Sequence, residues 1–145
     1  MPVMVVGADT AQGRVITQRL LDPEREVRVF VTDSDAAEEW RRSGAKVALG
    51  DVSDDSHVAA ACLNCFSVVL VGHAARDERT RSFAHTEEAV LEGWARAVST
   101  AGVRRVIWVL ESEPPEVTVG EVAVVDPNTP GIDDRVFRLD EAARL

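Results

Sequence analysis

The chain has 145 residues, 46% of them hydrophobic, which is enough for one domain (residues 1–145) with a substantial core, and no apolar run is long enough to span a bilayer. A formal net charge of −9 works against general attraction to nucleic acid or to an anionic membrane surface, because both need basic patches. The amino terminus runs straight into a strand-like stretch with no cleavable leader pattern, which predicts a cytoplasmic address.

In chain order, Val3 to Val6 is a continuous apolar run suited to a strand covered on both faces. Gly7 follows where the chain must bend, and Ala11, Val15, Ile16 and Leu20 then recur at helical spacing on one face. Asp22-Pro23 stops that helix, and Val27 to Val31 reads as the second strand. Thr32-Asp33-Ser34-Asp35 supplies turn and cap chemistry for a short helix over about 35–43, with Trp40 on its packed side and Gly44 closing it. Lys46 to Leu49 is a third strand, Ser53 or Asp54 caps a helix through Ala61, and Phe66 to Val71 is a fourth strand.

Gly72 to Arg81 reads as a polar surface loop. The longest helix is predicted over 82–101, with Phe83, Val90, Trp94, Ala97, Val98 and Ala101 on one stripe and Gly102 as terminator. Val103 to Leu110 is the fifth strand. Val117 to Val125 is strand-like and admits two readings, a hairpin turning at Gly120-Glu121 or a sixth parallel strand over 121–125, the second making one more strand-to-helix unit with a helix over 132–145. Strands alternating with helices at this spacing specify an α/β fold: a doubly wound, Rossmann-like parallel sheet of five to six strands with helices on both faces.

In such a sheet the first turn lies at the carboxyl end of the first strand, where unpaired N–H groups and the helix dipole favour a dinucleotide pyrophosphate. Gly7 and Gly13 match the outer glycines of a G-x-x-G-x-x-G turn, and Thr10 stands where the middle one belongs. The stretch Gly7-Ala8-Asp9-Thr10-Ala11-Gln12-Gly13 therefore reads either as a pyrophosphate cradle or as an architectural turn in which Gly13 only lets helix and strand pack closely. Thr10 would crowd the close approach of a pyrophosphate or donate its hydroxyl to it. Cys62 and Cys65 form C-x-x-C without further ligands at metal-site spacing, and read as buried small hydrophobes rather than a redox pair or zinc half-site. His57, His73 and His85 are widely spaced and read as solvated or loop residues.

The order of Val5 to Arg14, Val27 to Asp33, Gly44 to Asp51 and Ala101 to Ile107 resembles the atypical short-chain dehydrogenase/reductase proteins, in particular their NmrA-like, NAD(P)H-binding branch, over about residues 3–112. The resemblance implies a pyrophosphate over Gly7, Thr10 and Gly13, and an adenine beside Asp51 and Val52, with Asp51 accepting from the adenine amino group; as a turn or capping residue Asp51 needs no ligand. It places the choice between NAD and NADP at the end of the second strand, where Thr32 and Asp33 stand and which Arg14 could reach from the first helix. The choice stays open.

The family's usual proton donor is a tyrosine followed four residues later by a lysine, and this chain has no tyrosine. Its only lysine, Lys46, falls in the third strand, away from where a nicotinamide would sit. The chain also stops short of the family's carboxyl-terminal substrate region. Three functions follow from these matches and departures: an NAD(P)-binding sensor or regulator without ordinary dehydrogenase activity, an interaction or scaffold domain that has lost the nucleotide, or an oxidoreductase using His73, His85 or Ser112 as proton donor. No catalytic residue and no metal site is assigned. A last strand left at the sheet edge would also admit a homodimer or a protein partner.

Overall fold

Strands β1 (Val3–Val6), β2 (Val27–Val31), β3 (Lys46–Leu49), β4 (Ser67–Val71), β5 (Arg105–Val109) and β6 (Glu121–Val125) pair in parallel, in the order β3-β2-β1-β4-β5-β6, in the computed structural model, which describes residues 1–76, 79 and 81–145. The helices are α1 (Ala11–Leu20), α2 (Ser34–Arg42), α3 (Asp55–Ala61), α4 (His73–Arg76), α5 (Glu87–Ala101) and α6 (Ile132–Glu141). Between β1 and β4 the strand order reverses, so the loops leaving these strands diverge and open a crevice at their carboxyl ends.

Alternation along each strand sorts the core into two layers. Met4, Val6, Phe30, Val68, Leu70 and Trp108 face α3 and α5, where Val58, Val90, Trp94 and Val98 meet them. Val3, Val5, Val29, Val31, Val69 and Ile107 face the other way, against Ile16, Leu20, Trp40 and Val136. Each large side chain buried this way contributes about 1.5–3 kcal/mol. Trp94 also spends its polar atom well, since its Nε1 donates to the Val52 carbonyl at 2.8 Å and ties α5 to the turn after β3.

The structure decides the ambiguous segment for the parallel strand: β6 pairs with β5 from Arg105↔Glu121 to Val109↔Val125. Arg105 explains why α6 closes over it. This buried guanidinium donates to Glu121 at 2.6 Å and to the carbonyls of Leu139, Asp140 and Ala142 at 2.7–3.0 Å, holding the carboxyl end of α6 over the sheet.

Several expectations are corrected. On α1, Val15 is 49% exposed and Ala11 is also exposed, because the helix turns Gly13, Ile16, Thr17 and Leu20 inward instead. The long helix begins at Glu87, capped by Thr86, so Phe83 lies before it and is 66% exposed rather than on its buried stripe. The predicted loop after β4 starts with the short helix α4, and its residues 77, 78 and 80 lie outside the described residues. The final helix ends at Glu141. Of the two caps expected for α3, Ser53 or Asp54, it is Asp54 that accepts from the His57 N–H, in agreement with the sequence. Cys62 and Cys65 are both buried free thiols, as expected of small core residues. No helix among the described residues is long and apolar enough to cross a membrane.

Candidate functional site

The carboxyl ends of β1, β2, β3 and β4 bring four sequence-predicted segments to one rim. At Gly7 the chain leaves β1 with φ +92°, a conformation that costs a side-chain-bearing residue, and a Cβ there would lie 2.8 Å from that of Ala74. A Cβ on Gly13 would fall 1.9 Å from the Gly7 carbonyl oxygen, so only glycine lets α1 begin directly against the turn. Between them Thr10 performs both halves of a cap. Its hydroxyl donates to the Gly7 carbonyl at 2.7 Å and accepts from the Gly13 N–H at 3.0 Å. The threonine hydroxyl is thus turned into the loop, and its place in the pattern is filled by a hydrogen-bonding residue rather than a bare backbone.

With Gly13 capped and the Arg14 N–H donating to the Thr10 carbonyl, Ala11 and Gln12 are the first-turn residues whose N–H groups lack a partner among the described residues. The Gln12 side chain adds an acceptor: its Oε1 is buried and unpartnered, in a narrow cleft that it shares with Gly72, His73, Glu111 and Pro127. Two outward N–H donors beside a dipole and an orphaned amide oxygen are the complement of an anion attached to a group with an N–H donor. A dinucleotide, which carries a pyrophosphate and a carboxamide, fits that set.

Ala8 is buried, and its carbonyl accepts from Trp40 Nε1 at 3.2 Å, which fastens α2 to the turn. Asp9 reaches sideways to the end of β2. One of its oxygens accepts from the N–H groups of Thr32 and Asp33 at 2.9 and 3.1 Å, and the other from Arg79 Nη1 at 2.9 Å. Burial pushes the Asp9 carboxyl up, but the Arg79 guanidinium and the two backbone donors outweigh it and hold it below the usual range. Asp33 turns its own carboxylate onto the Ala36 N–H, capping α2.

Asp51 sits at the same rim, its carboxylate accepting from the Ser53 N–H, the Ser53 hydroxyl and the Ser82 N–H at 2.6–2.8 Å. It shapes the turn after β3 and tethers the chain before α5. Here too burial raises the carboxyl and the Ser53 and Ser82 donors bring it below the ordinary value. Val52 is fully buried, so its side chain belongs to the core.

Other predicted residues are drawn elsewhere. Arg14 pairs with Glu39 of α2 at 3.2 Å, away from the end of β2. Lys46 pairs with Glu26 at 2.6 Å at the amino ends of the strands, the opposite rim. Ser112 lines a groove with Glu87, Glu88 and Leu91 rather than the crevice. His73 alone of the candidate proton donors lies in the Gln12 cleft. Arg79 was not singled out by sequence: it stands 70 positions from Asp9, and the one hint was an arginine-containing segment following a strand whose carboxyl end adjoins that of β1.

Residues 7–125 match a protein family described as NAD(P)H-binding. No curated protein matches the sequence. Among solved structures, the chain is similar to triphenylmethane reductase from Citrobacter sp. (17% identity, TM-score 0.62, covering 75% of this chain and 37% of that one). It is also similar to ChuY, an anaerobilin reductase from Escherichia coli O157:H7 (23%, 0.57, 75% and 50%), and to an NADPH-dependent quinone oxidoreductase from Escherichia coli complexed with NADPH (16%, 0.60, 74% and 36%). At these identities the likeness is one of fold, and this chain spans no more than half the length of each of the three.

Proposed function

The chain belongs to the NAD(P)H-binding family, and on that premise we propose that it binds the dinucleotide at the β1–α1 turn and acts as a cofactor-responsive sensor or regulator of the atypical short-chain dehydrogenase type, without ordinary dehydrogenase turnover. The observation that carries the binding half is the turn itself. Gly7 and Gly13 let α1 start against β1, Thr10 holds the loop, and the Ala11 and Gln12 N–H groups are left to receive the pyrophosphate. Ala8 and Asp9 fix that turn to α2 and β2, Thr32 and Asp33 border the adenosine ribose, and Asp51 with Val52 borders the adenine. Gln12 Oε1 is the acceptor for the carboxamide.

Bound NAD(P) supplies a hydride acceptor, and its reduced form a hydride donor. What these residues lack is the usual proton relay, since no tyrosine occurs among the 145 residues and Lys46 is paired with Glu26 at the far rim. That supports binding without turnover. Titration calorimetry of the purified chain with NAD, NADH, NADP and NADPH tests it, after checking that no nucleotide has co-purified. Micromolar binding with no oxidation of the reduced cofactor is expected. No binding to any of the four would overturn the reading and favour the interaction-domain alternative.

One observation favours a second reading, the oxidoreductase with a non-tyrosine donor: His73 shares the cleft with Gln12. NAD(P)H oxidation with a panel of quinones and carbonyl compounds, lost in His73→Ala, would support it.

A further inference from the structure

We propose that the free edge of β6 pairs antiparallel with the β6 edge of a second copy of this chain, about a two-fold axis at Ala123, so that one sheet runs through a homodimer; the inference does not depend on the dinucleotide reading. β6 ends the strand order and pairs with β5 on one side. The Glu121 N–H donates to the Arg104 carbonyl and the Val125 carbonyl accepts from the Leu110 N–H, both at 3.0 Å, so residues 121, 123 and 125 direct their backbone groups at β5. By the alternation along a strand, Val122 and Val124 aim their N–H and C=O groups out of the sheet edge. Exposed edges are ordinarily guarded by charge, proline or a bulge, and Val122-Ala123-Val124-Val125 pairs in unbroken register with none of these. Glu121 is committed to Arg105.

The side chains point to the same edge. Two apolar rows, Val68-Val106-Val122 and Leu70-Trp108-Val124, run across β4, β5 and β6 on the face that α5 covers. The first two members of each row are buried, whereas Val122 is 44% and Val124 49% exposed. The reason is the connection from β5 to β6: residues 110–120 form no helix to cover them, although a parallel sheet normally has both faces covered.

A second copy is the occupant because the edge is self-complementary. With Ala123 opposite Ala123 of the second copy, Val122 and Val124 face the second copy's Val124 and Val122 as hydrogen-bonded pairs. That register uses every outward N–H and C=O of these residues and sets valine against valine. Ala123 then falls on the axis at a non-hydrogen-bonded pair, where two strands come closest and a methyl group fits. Charge agrees with the same register, which puts Gly120 opposite Asp126 of the second copy. Arg104 is exposed, makes no ion pair with a described residue, and lies across Gly120, where a Cβ would be 3.2 Å from its Nε. Asp126 is exposed too, one of its oxygens accepting from the Asn128 N–H at 2.8 Å. Arg104 of each copy therefore meets Asp126 of the other.

The test is sedimentation equilibrium of the whole chain, with variants that report the register. The wild type should dimerise reversibly below about 1 mM. Val124→Lys sets a charge into both valine pairs and should weaken the dimer at least about tenfold. Arg104→Glu and Asp126→Arg should each weaken it about three- to tenfold, and the double variant should recover most of the loss, because the swapped charges again face each other. Ala123→Cys places two thiols on the axis at a Cα separation of about 4.5 Å, within disulfide reach, so oxidised glutathione should link it as a dimer. The native Cys62 and Cys65 are buried and give little background. Val122→Cys, which faces residue 124 instead, should cross-link far less. If Val124→Lys does not fold, the cysteine pair and the charge swap still decide. A wild type monomeric up to about 1 mM would overturn the inference and leave the edge to a strand of another protein. A dimer that survives Val124→Lys, or one in which Ala123→Cys links no better than Val122→Cys, would overturn it by placing the contact elsewhere.

Discussion

Replacing Thr10 by alanine removes one hydroxyl that makes two hydrogen bonds inside a residue only 4% exposed. Loss of the cap on the Gly13 N–H costs about 1 kcal/mol, and loss of the bond to the Gly7 carbonyl about another 1 kcal/mol, moderated because that carbonyl also accepts from the Thr10 N–H at 3.0 Å. The sum, about 2 kcal/mol, corresponds to a fall of about 4–8 °C in Tm for a domain of this size. Thermal denaturation followed by circular dichroism reads it directly, with urea midpoints as a second measure. Thr10→Ser should match the wild type, since it keeps the hydroxyl. Thr10→Gly, which restores the middle glycine of the turn pattern, should fall between serine and alanine, because glycine is a far better cap than alanine. A Tm for Thr10→Ala within about 1 °C of the wild type would refute the capping argument. An alanine variant more stable than the glycine variant would refute the ranking.

Asp9 and Asp51 are held below their ordinary carboxyl range in the folded protein, so their contribution is complete above the unfolded value near pH 4 and is lost as pH falls toward the folded values. Urea midpoints should therefore hold between pH 7 and 5 and drop below about pH 4, with a shallower drop in Asp9→Asn; an identical drop in that variant would remove Asp9 from the account. Burial, reinforced by Cys65, pushes the Cys62 thiol up to about 12 despite Arg28, so at pH 8 only about one part in ten thousand is thiolate. A thiol reagent should find neither cysteine quickly in the native chain and both in denaturant, whereas fast native labelling would show that this corner of the core opens readily.

The glycine turn was legible in sequence as a shape and ambiguous as a site, and the geometry shows why. The separation of Gly7 and Gly13 is a local quantity, fixed by one strand end and one helix turn. What Thr10 does with its hydroxyl depends on whether the Gly7 carbonyl and Gly13 N–H both come within reach, and six residues do not settle that. The misplaced faces have the same origin. Val15 and Phe83 fit a helical stripe by spacing, but which stripe is buried depends on the neighbours: α6 and the sheet claim Ile16 and Leu20, the turn after β1 claims Gly13, and Thr86 starts α5 only after Phe83 has passed.

Sequence alone therefore determined the alternation of strands and helices, the parallel sheet that follows from it, and the glycine turn at its first strand, because each rests on periodicity and turn chemistry acting over a few residues. Tertiary structure alone decided that Glu121–Val125 joins β5 in parallel, that Arg14 turns away to Glu39, and that Arg79 meets Asp9 and Thr32. Those contacts join residues up to 70 positions apart. Charges and edge strands take whichever partner the assembled sheet places within a few ångströms, and that partner is set by the whole topology rather than by their neighbours in the chain.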